Sequence, residues 1–328
     1  MFDRKTVLVT GGTGSFGKMF TSVFLKRFRP EKFIIFSRDE FKQSEMAKIF
    51  PPEKFPVRFF IGDVRDRNRL YRAFEGVDYV IHAAALKQVP ALEYNPTEAV
   101  KTNVIGADNI VEAAVDRGVK KVIALSTDKA VNPINLYGAT KLVAEKIFVS
   151  ANAYTGNKTK FSVVRYGNVV GSRGSVIPLF LELKNRGVKE FPITHGQMTR
   201  FWIGLGQGID LVLRALEEAE GGELFVPRIP SMRITDLAKA VDPQCSFKIL
   251  GIRPGEKLHE TLVSEDEARS TKHVGDFYVI LPQFVISSAL ESKYAQHKCV
   301  KEDFVYRSDT NDLWLDVGSL RAMISQNG

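Results

Sequence analysis

The chain has 328 residues, 44% of them hydrophobic and 26% charged. That balance is ordinary globular usage and excludes collagen-like, low-complexity and wholly disordered chains, while the length suggests roughly two structural units. Lys and Arg number 46 against 38 Asp and Glu, a formal net charge of +8 with no dense basic block or basic-aromatic RNA motif. The excess reads as a solvated surface or a cleft for an acidic nucleotide, with no nucleic-acid partner expected.

No run approaches the about 20 apolar residues of a membrane span. Met1-Phe-Asp-Arg-Lys5 runs into the first strand without a secretory apolar region or cleavage site. Cys245 and Cys299 are far apart and form no CxxC. A reducing, cytoplasmic setting is therefore expected, with no disulfide scaffold or structural zinc.

Thr6-Val-Leu-Val9 predicts a buried strand, followed by a glycine-rich turn and a helix to about Arg27. Short apolar runs at 33–36, 59–61, 79–82, 122–125 and 161–164 predict five more strands. The stretches between them, at 41–50, 67–74, 97–116 and 137–153, predict helices. Strands alternating with helices mean a parallel sheet, and continuous apolarity means burial on both faces. The expected fold is α/β, a Rossmann-type doubly wound parallel sheet over residues 1–165. After Arg165 glycine and proline become frequent (Gly167, Gly171, Gly174, Pro178, Gly187, Pro192). A smaller mixed substrate domain is expected over 166–328. A helix at 209–220 and a strand at 223–226 lie in the 205–226 region expected to return to the first domain. Beyond Pro282 the pattern says little, and no internal repeat is visible.

The first strand ends in Thr10-Gly-Gly-Thr-Gly-Ser-Phe-Gly17. Gly11, Gly14 and Gly17 suit a nucleotide-binding turn: a sharp exit from the strand, close approach of backbone N–H groups to a pyrophosphate, and tight helix–strand packing. Gly204-Leu-Gly-Gln-Gly208 has a similar look but follows no convincing strand, so a loop is expected there. After the second strand, where NAD sites usually place an acid, stand Ser37 and Arg38, with Asp39 and Glu40 only beyond them. A hydroxyl and a guanidinium suit a 2′-phosphate, which favours NADP; a surface Arg38–Asp39 pair is the plainer possibility. Asp63-Val64 could meet the adenine, and Ala83-Ala84-Ala85 are small where backbone must pass the cofactor.

A Tyr and a Lys four apart share a helix face, where the ammonium can stabilise a phenolate that acts as a base. Three such pairs occur: Tyr137/Lys141, Tyr154/Lys158 and Tyr294/Lys298. Only Tyr137 opens a long helix at the C-terminal side of a core strand, where open α/β sheets bind ligands. That strand ends in Ser126-Thr127, two hydroxyls able to bind the same reacting oxygen. The adjacent Asp128-Lys129 is, on residue type alone, a loop salt bridge or a helix cap. The five histidines (82, 195, 259, 273, 297) show no ligand spacing, and no metal is expected.

TGGTGSFG, Ser126-Thr127 and Tyr137-Gly-Ala-Thr-Lys141, in that order, resemble the extended short-chain dehydrogenase/reductases acting on nucleotide sugars. Ser126-Thr-Asp-Lys-Ala-Val-Asn-Pro133 narrows the resemblance to the inverting UDP-N-acetylglucosamine 4,6-dehydratases of pseudaminic acid synthesis, where dTDP-glucose dehydratases carry Asp-Glu. Supporting stretches are Ser37–Glu40, His82–Pro90, Arg165–Val169, Gly171–Gly174, Met198–Phe201 and Arg253–Glu260. Longer membrane-anchored relatives replace the tyrosine with methionine; this chain keeps Tyr137.

The resemblance implies oxidation at C4, loss of water across C5 and C6, and return of the hydride to C6. With inversion at C5 the product is UDP-2-acetamido-2,6-dideoxy-β-L-arabino-hexos-4-ulose. Tyr137, with Thr127 and Lys141, would take the C4 hydroxyl proton. Lys129 would take the C5 proton as a neutral amine, its pKa depressed by burial or by Lys141. Asp128, its pKa raised, would protonate the leaving C6 hydroxyl. NADP would stay tightly bound and be recycled each turnover. The resemblance also puts Thr13, Ser15, Phe16, Lys42, Asn103 and Ser126 at the cofactor. At the UDP-sugar it puts Lys87, Asn168, Val176, Pro178, Thr194, Arg200, Arg253 and Glu256, and it implies a homo-oligomer. Two alternatives stay open: a UDP-N-acetylhexosamine 4-epimerase of the same fold and a non-catalytic NADP sensor. Gluco or galacto preference is not readable, since one pocket contact can reverse it.

Overall fold

The computed structural model describes residues 1–156, 158–170, 176–284 and 287–327; the Gly171–Gly174 stretch lies outside them. The first half runs β1 (Thr6–Thr10), α1 (Ser15–Arg27), β2 (Lys32–Ser37), α2 (Glu40–Ile49), β3 (Val57–Ile61), α3 (Arg67–Ala73) and β4 (Tyr79–His82). All five residues of β1 and all four of β4 are buried, as continuous apolarity requires. Two short helices, α4 (Val89–Tyr94) and α5 (Pro96–Ala99), then lead through a π-wound turn (Val100–Ile105) into α6 (Gly106–Asp116). The single helix expected over 97–116 is thus one helical run whose winding widens midway. β5 (Lys121–Thr127) ends in a 3₁₀ turn (Asp128–Ala130), followed by α7 (Leu136–Ala151) and β6 (Lys160–Tyr166).

The second half begins with β7 (Asn168–Val169), α8 (Val176–Asn185), β8 (Glu190–Ile193), β9 (Thr199–Ile203), α9 (Leu205–Glu218) and β10 (Leu224–Pro227). It continues through β11 (Ser231–Arg233), α10 (Ile234–Val241), β12 (Ser246–Ile249), β13 (Thr261–Val263), α11 (Glu265–Ala268), β14 (Thr271–Val274) and β15 (Phe277–Ile280). The last elements are α12 (Ser288–Tyr294), β16 (Tyr306–Arg307) and α13 (Val317–Asn327).

Nine strands form the main sheet in the order β14-β15-β10-β6-β5-β4-β1-β2-β3. From β10 to β3 every pairing is parallel, and β15 and β14 close the far edge antiparallel. The order reverses between β1 and β4, and there a doubly wound sheet leaves a crevice at its strand C-termini. The Gly11 turn, Ala83–Ala85 and Ser126–Thr127 all stand at that edge. Beside it, β11-β9-β7, β12-β8 and β13-β16 form small sheets. They surround a second core with Phe180, Phe191, Trp202, Met232 and Leu237. The tail beyond Pro282 is built in: Tyr306 OH donates to the Ile229 carbonyl (2.9 Å) and accepts from its N–H (2.8 Å).

One expectation fails. Gly204-Leu-Gly-Gln-Gly208 is not a loop; it directly follows β9 and opens α9, four residues before the expected helix start. Arg200 hides β9 in the sequence because it breaks the apolar run, yet it is buried, donating to the Thr199 (2.7 Å) and Leu258 (3.1 Å) carbonyls. Packing of α9 on the main core through Ile209, Leu211, Val212 and Leu216 overrides the poor helix propensity of its glycines.

Candidate active site

Gly11 leaves β1 at φ +63°, where a Cβ would lie 2.9 Å from the Ala84 Cα, so only glycine fits. A Cβ on Gly17 would run into the Gly12 carbonyl, which fixes how closely α1 packs. The α1 N-cap is Gly14, with no side-chain cap and no acid in the first turn. Its N–H groups are therefore open to an anion. Thr10 Oγ1 accepts from Ala84 N (3.3 Å) and pairs with His82 Nδ1 (2.8 Å), holding the alanine stretch in place. Burial, reinforced by Lys141, pulls the His82 pKa down to about 3, so it is a neutral structural group.

A cleft of about 580 Å³ runs from this turn along the strand ends. Of the residues singled out at the cofactor, Gly11, Thr13, Gly14, Ser15, Phe16, Ser37, Arg38, Asp39, Lys42, Asp63, Val64, Ala83, Ala84, Ala85, Ser126, Tyr137 and Lys141 line it, together with Thr127, Lys129, Lys87 and Asn168. Gly17 and Asn103 lie one layer behind. Asn103 exchanges hydrogen bonds with the Leu86 backbone (2.8 and 2.9 Å) and donates to Thr140 Oγ1 (3.1 Å), tying the segment before Lys87 to α7. Phe36, Leu86, Thr102, Leu125, Tyr166, Gly167, Val170 and Leu205 also line the cleft. None of these was singled out as a site residue, although Leu86, Tyr166 and Gly167 stand in the His82–Pro90 and Arg165–Val169 stretches on which the resemblance rests.

At one end of the cleft, Ser37 Oγ accepts from the buried Gln43 amide (3.0 Å), a partner the sequence did not suggest, and its own proton is free to donate. Arg38 reaches Asp63 (3.4 Å) rather than Asp39. Asp39 caps α2 through Lys42 N (2.9 Å) and pairs with the Lys42 amine (2.5 Å), which holds its carboxyl below the ordinary range. Asp63 is clasped by Arg65 (2.7 Å). The acids here are already engaged, and Arg38 is the half-exposed cation.

At the other end, Thr127 Oγ1 caps the 3₁₀ turn and donates to Asp128 Oδ1 (2.9 Å). Lys129 Nζ donates to the same oxygen (3.1 Å) and lies 3.5 Å from Asn168 Oδ1 and 3.3 Å from Glu260 Oε1. Burial raises the Asp128 pKa, and Glu260 adds to the effect although Lys129 opposes it. The Lys129 expectation is overturned. Burial alone would depress its amine, but Asp128 and Glu260 outweigh burial and the nearby Arg200 and hold the amine well above the ordinary lysine value. Lys141 is not the depressing neighbour. Its Nζ donates to the Leu125 carbonyl (2.7 Å), and burial pulls its own pKa down to about 8. Burial pushes the Tyr137 phenol up to about 12, and Lys129 and Thr127 pull it back.

Local packing forces this arrangement. Gly138 follows Tyr137 because a Cβ there would collide with the Lys129 carbonyl oxygen, so α7 sits directly against the 3₁₀ turn. Asn135 caps α7 through Gly138 N (2.7 Å) and donates to the Gly255 carbonyl (2.7 Å), drawing the 253–260 segment in. Through that segment Glu260, unforeseen, reaches Lys129. Arg200 and Glu256 (3.5 Å) stand behind it, off the cleft lining. Val176, Pro178, Thr194 and Arg253 also lie outside the lining; Pro178 and Arg253 are exposed.

The site fits a dinucleotide. Beyond the bare N-terminus of α1, Ser126 Oγ and Thr102 Oγ1 are buried polar atoms at the cleft with no partner among the described residues. No helix among the described residues is long and apolar enough to cross a membrane.

A family profile described as polysaccharide biosynthesis protein matches residues 7–282. The chain is 53% identical over 331 residues to the UDP-N-acetylglucosamine 4,6-dehydratase (inverting) of Campylobacter jejuni, covering 99% of this chain and 98% of that one. It is 47% identical over 288 residues to a UDP-glucose 4-epimerase of Rickettsia bellii, covering 85% and 84%. The X-ray structure of Pen from Bacillus thuringiensis superposes with a TM-score of 0.90 at 36% identity, covering 99% and 98%.

Proposed function

The chain belongs to the polysaccharide biosynthesis protein family, and on that premise we propose that it is a nucleotide-sugar 4,6-dehydratase acting on UDP-N-acetylglucosamine. The carrying observation is that one cleft joins a phosphate turn to Tyr137, Lys141 and Lys129, with Asp128 buried directly behind Lys129 at 3.1 Å. Oxidation at C4 needs only the first part. Asp128 and Lys129 add the means to expel a hydroxyl, and they favour elimination over simple epimerisation.

We take the dinucleotide to be NADP, tightly held and recycled. Ser37, Arg38 and Lys42 offer donors to a 2′-phosphate, while Asp39 is used up as a helix cap and so cannot serve the ribose hydroxyls freely. Held by the Gly11 turn, Ser37, Arg38 and Lys42, a nicotinamide dinucleotide would supply the hydride acceptor for C4 and the hydride donor for C6.

Tyr137 takes the C4 hydroxyl proton, and Lys129 and Thr127 are the groups that stabilise its phenolate. The C4 ketone acidifies the C5 hydrogen. Lys129 removes it as the amine, against the pull of the anionic Glu260 that faces it at 3.3 Å. Asp128 passes its proton to the C6 hydroxyl, which leaves as water. Reprotonation of C5 from the opposite face inverts that centre. Lys87 and Asn168 face the sugar; Arg200, Arg253, Glu256, Val176, Pro178 and Thr194 serve the UDP side. The first structural half, 1–165 with 205–226 returning to it, is the cofactor unit and 166–328 the substrate unit. A cytoplasmic homo-oligomer completes the reading.

Incubation with UDP-N-acetylglucosamine and NADP, followed by mass spectrometry, tests it. Loss of one water is expected. An unchanged mass with an epimerised sugar would instead match the activity named for the Rickettsia relative. Proton NMR of the product in D2O reads the C5 configuration, and light scattering reads the oligomer.

A further inference from the structure

Glu260 is a charged group at the reaction centre that the mechanism above does not use. It is 2% exposed, with Oε1 3.3 Å from Lys129 Nζ and 3.8 Å from Arg200 Nε. Its Oε2 is buried with no hydrogen-bond partner among the described residues, and the same holds for Asp128 Oδ2. Lys129 therefore lies between two carboxylates, each of which keeps one oxygen unengaged. The main chain of Glu260 is fixed independently: its N–H donates to Ser308 Oγ and its carbonyl accepts from Ser308 N, both at 2.9 Å.

We propose that Glu260 is a positioning residue of the acid–base centre, the fixed charge that keeps protons on both Asp128 and Lys129. This rests on the dehydratase reading and deepens it. A negative charge beside two titrating groups favours the protonated form of each, so they give up protons only at higher pH. The groups facing Glu260 are Asp128 and Lys129 from the 3₁₀ turn after β5, Arg200 from β9 and Lys257 from its own segment. Tyr137 from α7 and Lys87 from the loop after β4 also interact with Lys129. Burial alone would raise Glu260, but Lys129, Arg200 and Lys257 hold it below the ordinary range, so it stays an anion. Asp128 thereby keeps the proton that the leaving hydroxyl needs. Lys129 keeps its ammonium until substrate is in place. The pair titrates jointly, and both limbs of a rate profile belong to it.

The test is the pH dependence of kcat for water elimination in wild type, Glu260→Gln and Glu260→Asp. Removing the charge should move both limbs of the Glu260→Gln bell to lower pH by about one unit or more. KM for the UDP-sugar should stay within about threefold, because charge on the pair changes the chemical step rather than ground-state binding. Glu260→Asp, which keeps the charge but withdraws it, should move the bell the same way by less. A purely structural residue would lower kcat or melting temperature without moving the limbs. A bell coincident with wild type in either folded variant overturns the inference. Failure of both variants to fold places Glu260 in the scaffold and also overturns it. Wild-type protein that releases no dehydrated sugar would sink the dehydratase reading itself, a separate result.

Discussion

Lys129 Nζ stands 3.1 Å from Asp128 Oδ1, so two residues adjacent in the chain are also partners across the reaction centre. Consecutive side chains on a strand point to opposite faces; the 3₁₀ turn beginning at Asp128 turns them to one side. Thr127 locks the turn from its N-cap position.

Asp128→Asn keeps the shape and removes the acid. Water loss should fall about 10²- to 10⁴-fold, the usual worth of a general acid, while C4 oxidation, read as transient reduced cofactor absorbance, persists. Lys129→Ala should likewise block elimination and spare oxidation. Tyr137→Phe should abolish both. Stopped-flow absorbance beside product mass spectrometry separates the three variants.

Arg38→Ala tests the cofactor assignment. Loss of a guanidinium–phosphate contact should weaken NADP binding about tenfold or more and leave NAD affinity nearly unchanged. Fluorescence titration of protein stripped of its cofactor measures both. Equal losses for the two dinucleotides would contradict a 2′-phosphate site.

Gly138→Ala should destabilise the protein by about 1–3 kcal/mol, the usual cost of overpacking, because the new methyl meets the Lys129 carbonyl. Elimination should suffer more than cofactor binding, since the turn carrying Asp128 and Lys129 must give way. Thermal melts with and without NADP, beside product formation, check this.

Arg165 is 1% exposed and bridges Glu145 (2.7 Å) and Glu267 (2.8 Å), joining α7 to α11. Arg165→Ala removes the ion-pair partner of the buried Glu145 and the half-buried Glu267 and should cost about 3–5 kcal/mol by urea denaturation at neutral pH. Burial alone would raise Glu267, yet Arg165 holds it below its ordinary range. A depressed carboxylate contributes stability above its unfolded pKa and loses it as pH falls through the folded one. The gap between wild type and variant should therefore narrow in acid.

Much of the scaffold was written in local pattern. Buried parallel strands leave continuous apolar runs, and the Gly11 turn leaves glycines at sterically forced positions. The Tyr137 helix and the Ser126–Lys129 strand end were legible for the same reason: each is one contiguous stretch whose chemistry follows from its neighbours in the chain. β9 was missed because one of the two carbonyl acceptors that let Arg200 be buried, those of Thr199 and Leu258, comes from 58 residues away.

The amino-acid order by itself determined the individual core strands, the phosphate turn and which residues stand at their ends, since these are written in contiguous stretches a few residues long. Only the tertiary structure decided the charge state of those residues. Lys129 was expected to have a depressed pKa; Asp128 beside it and Glu260, brought to 3.3 Å by a segment more than a hundred residues downstream, together raise it. Coulomb energy depends on distance through space and on burial, and neither is a property of position along the chain.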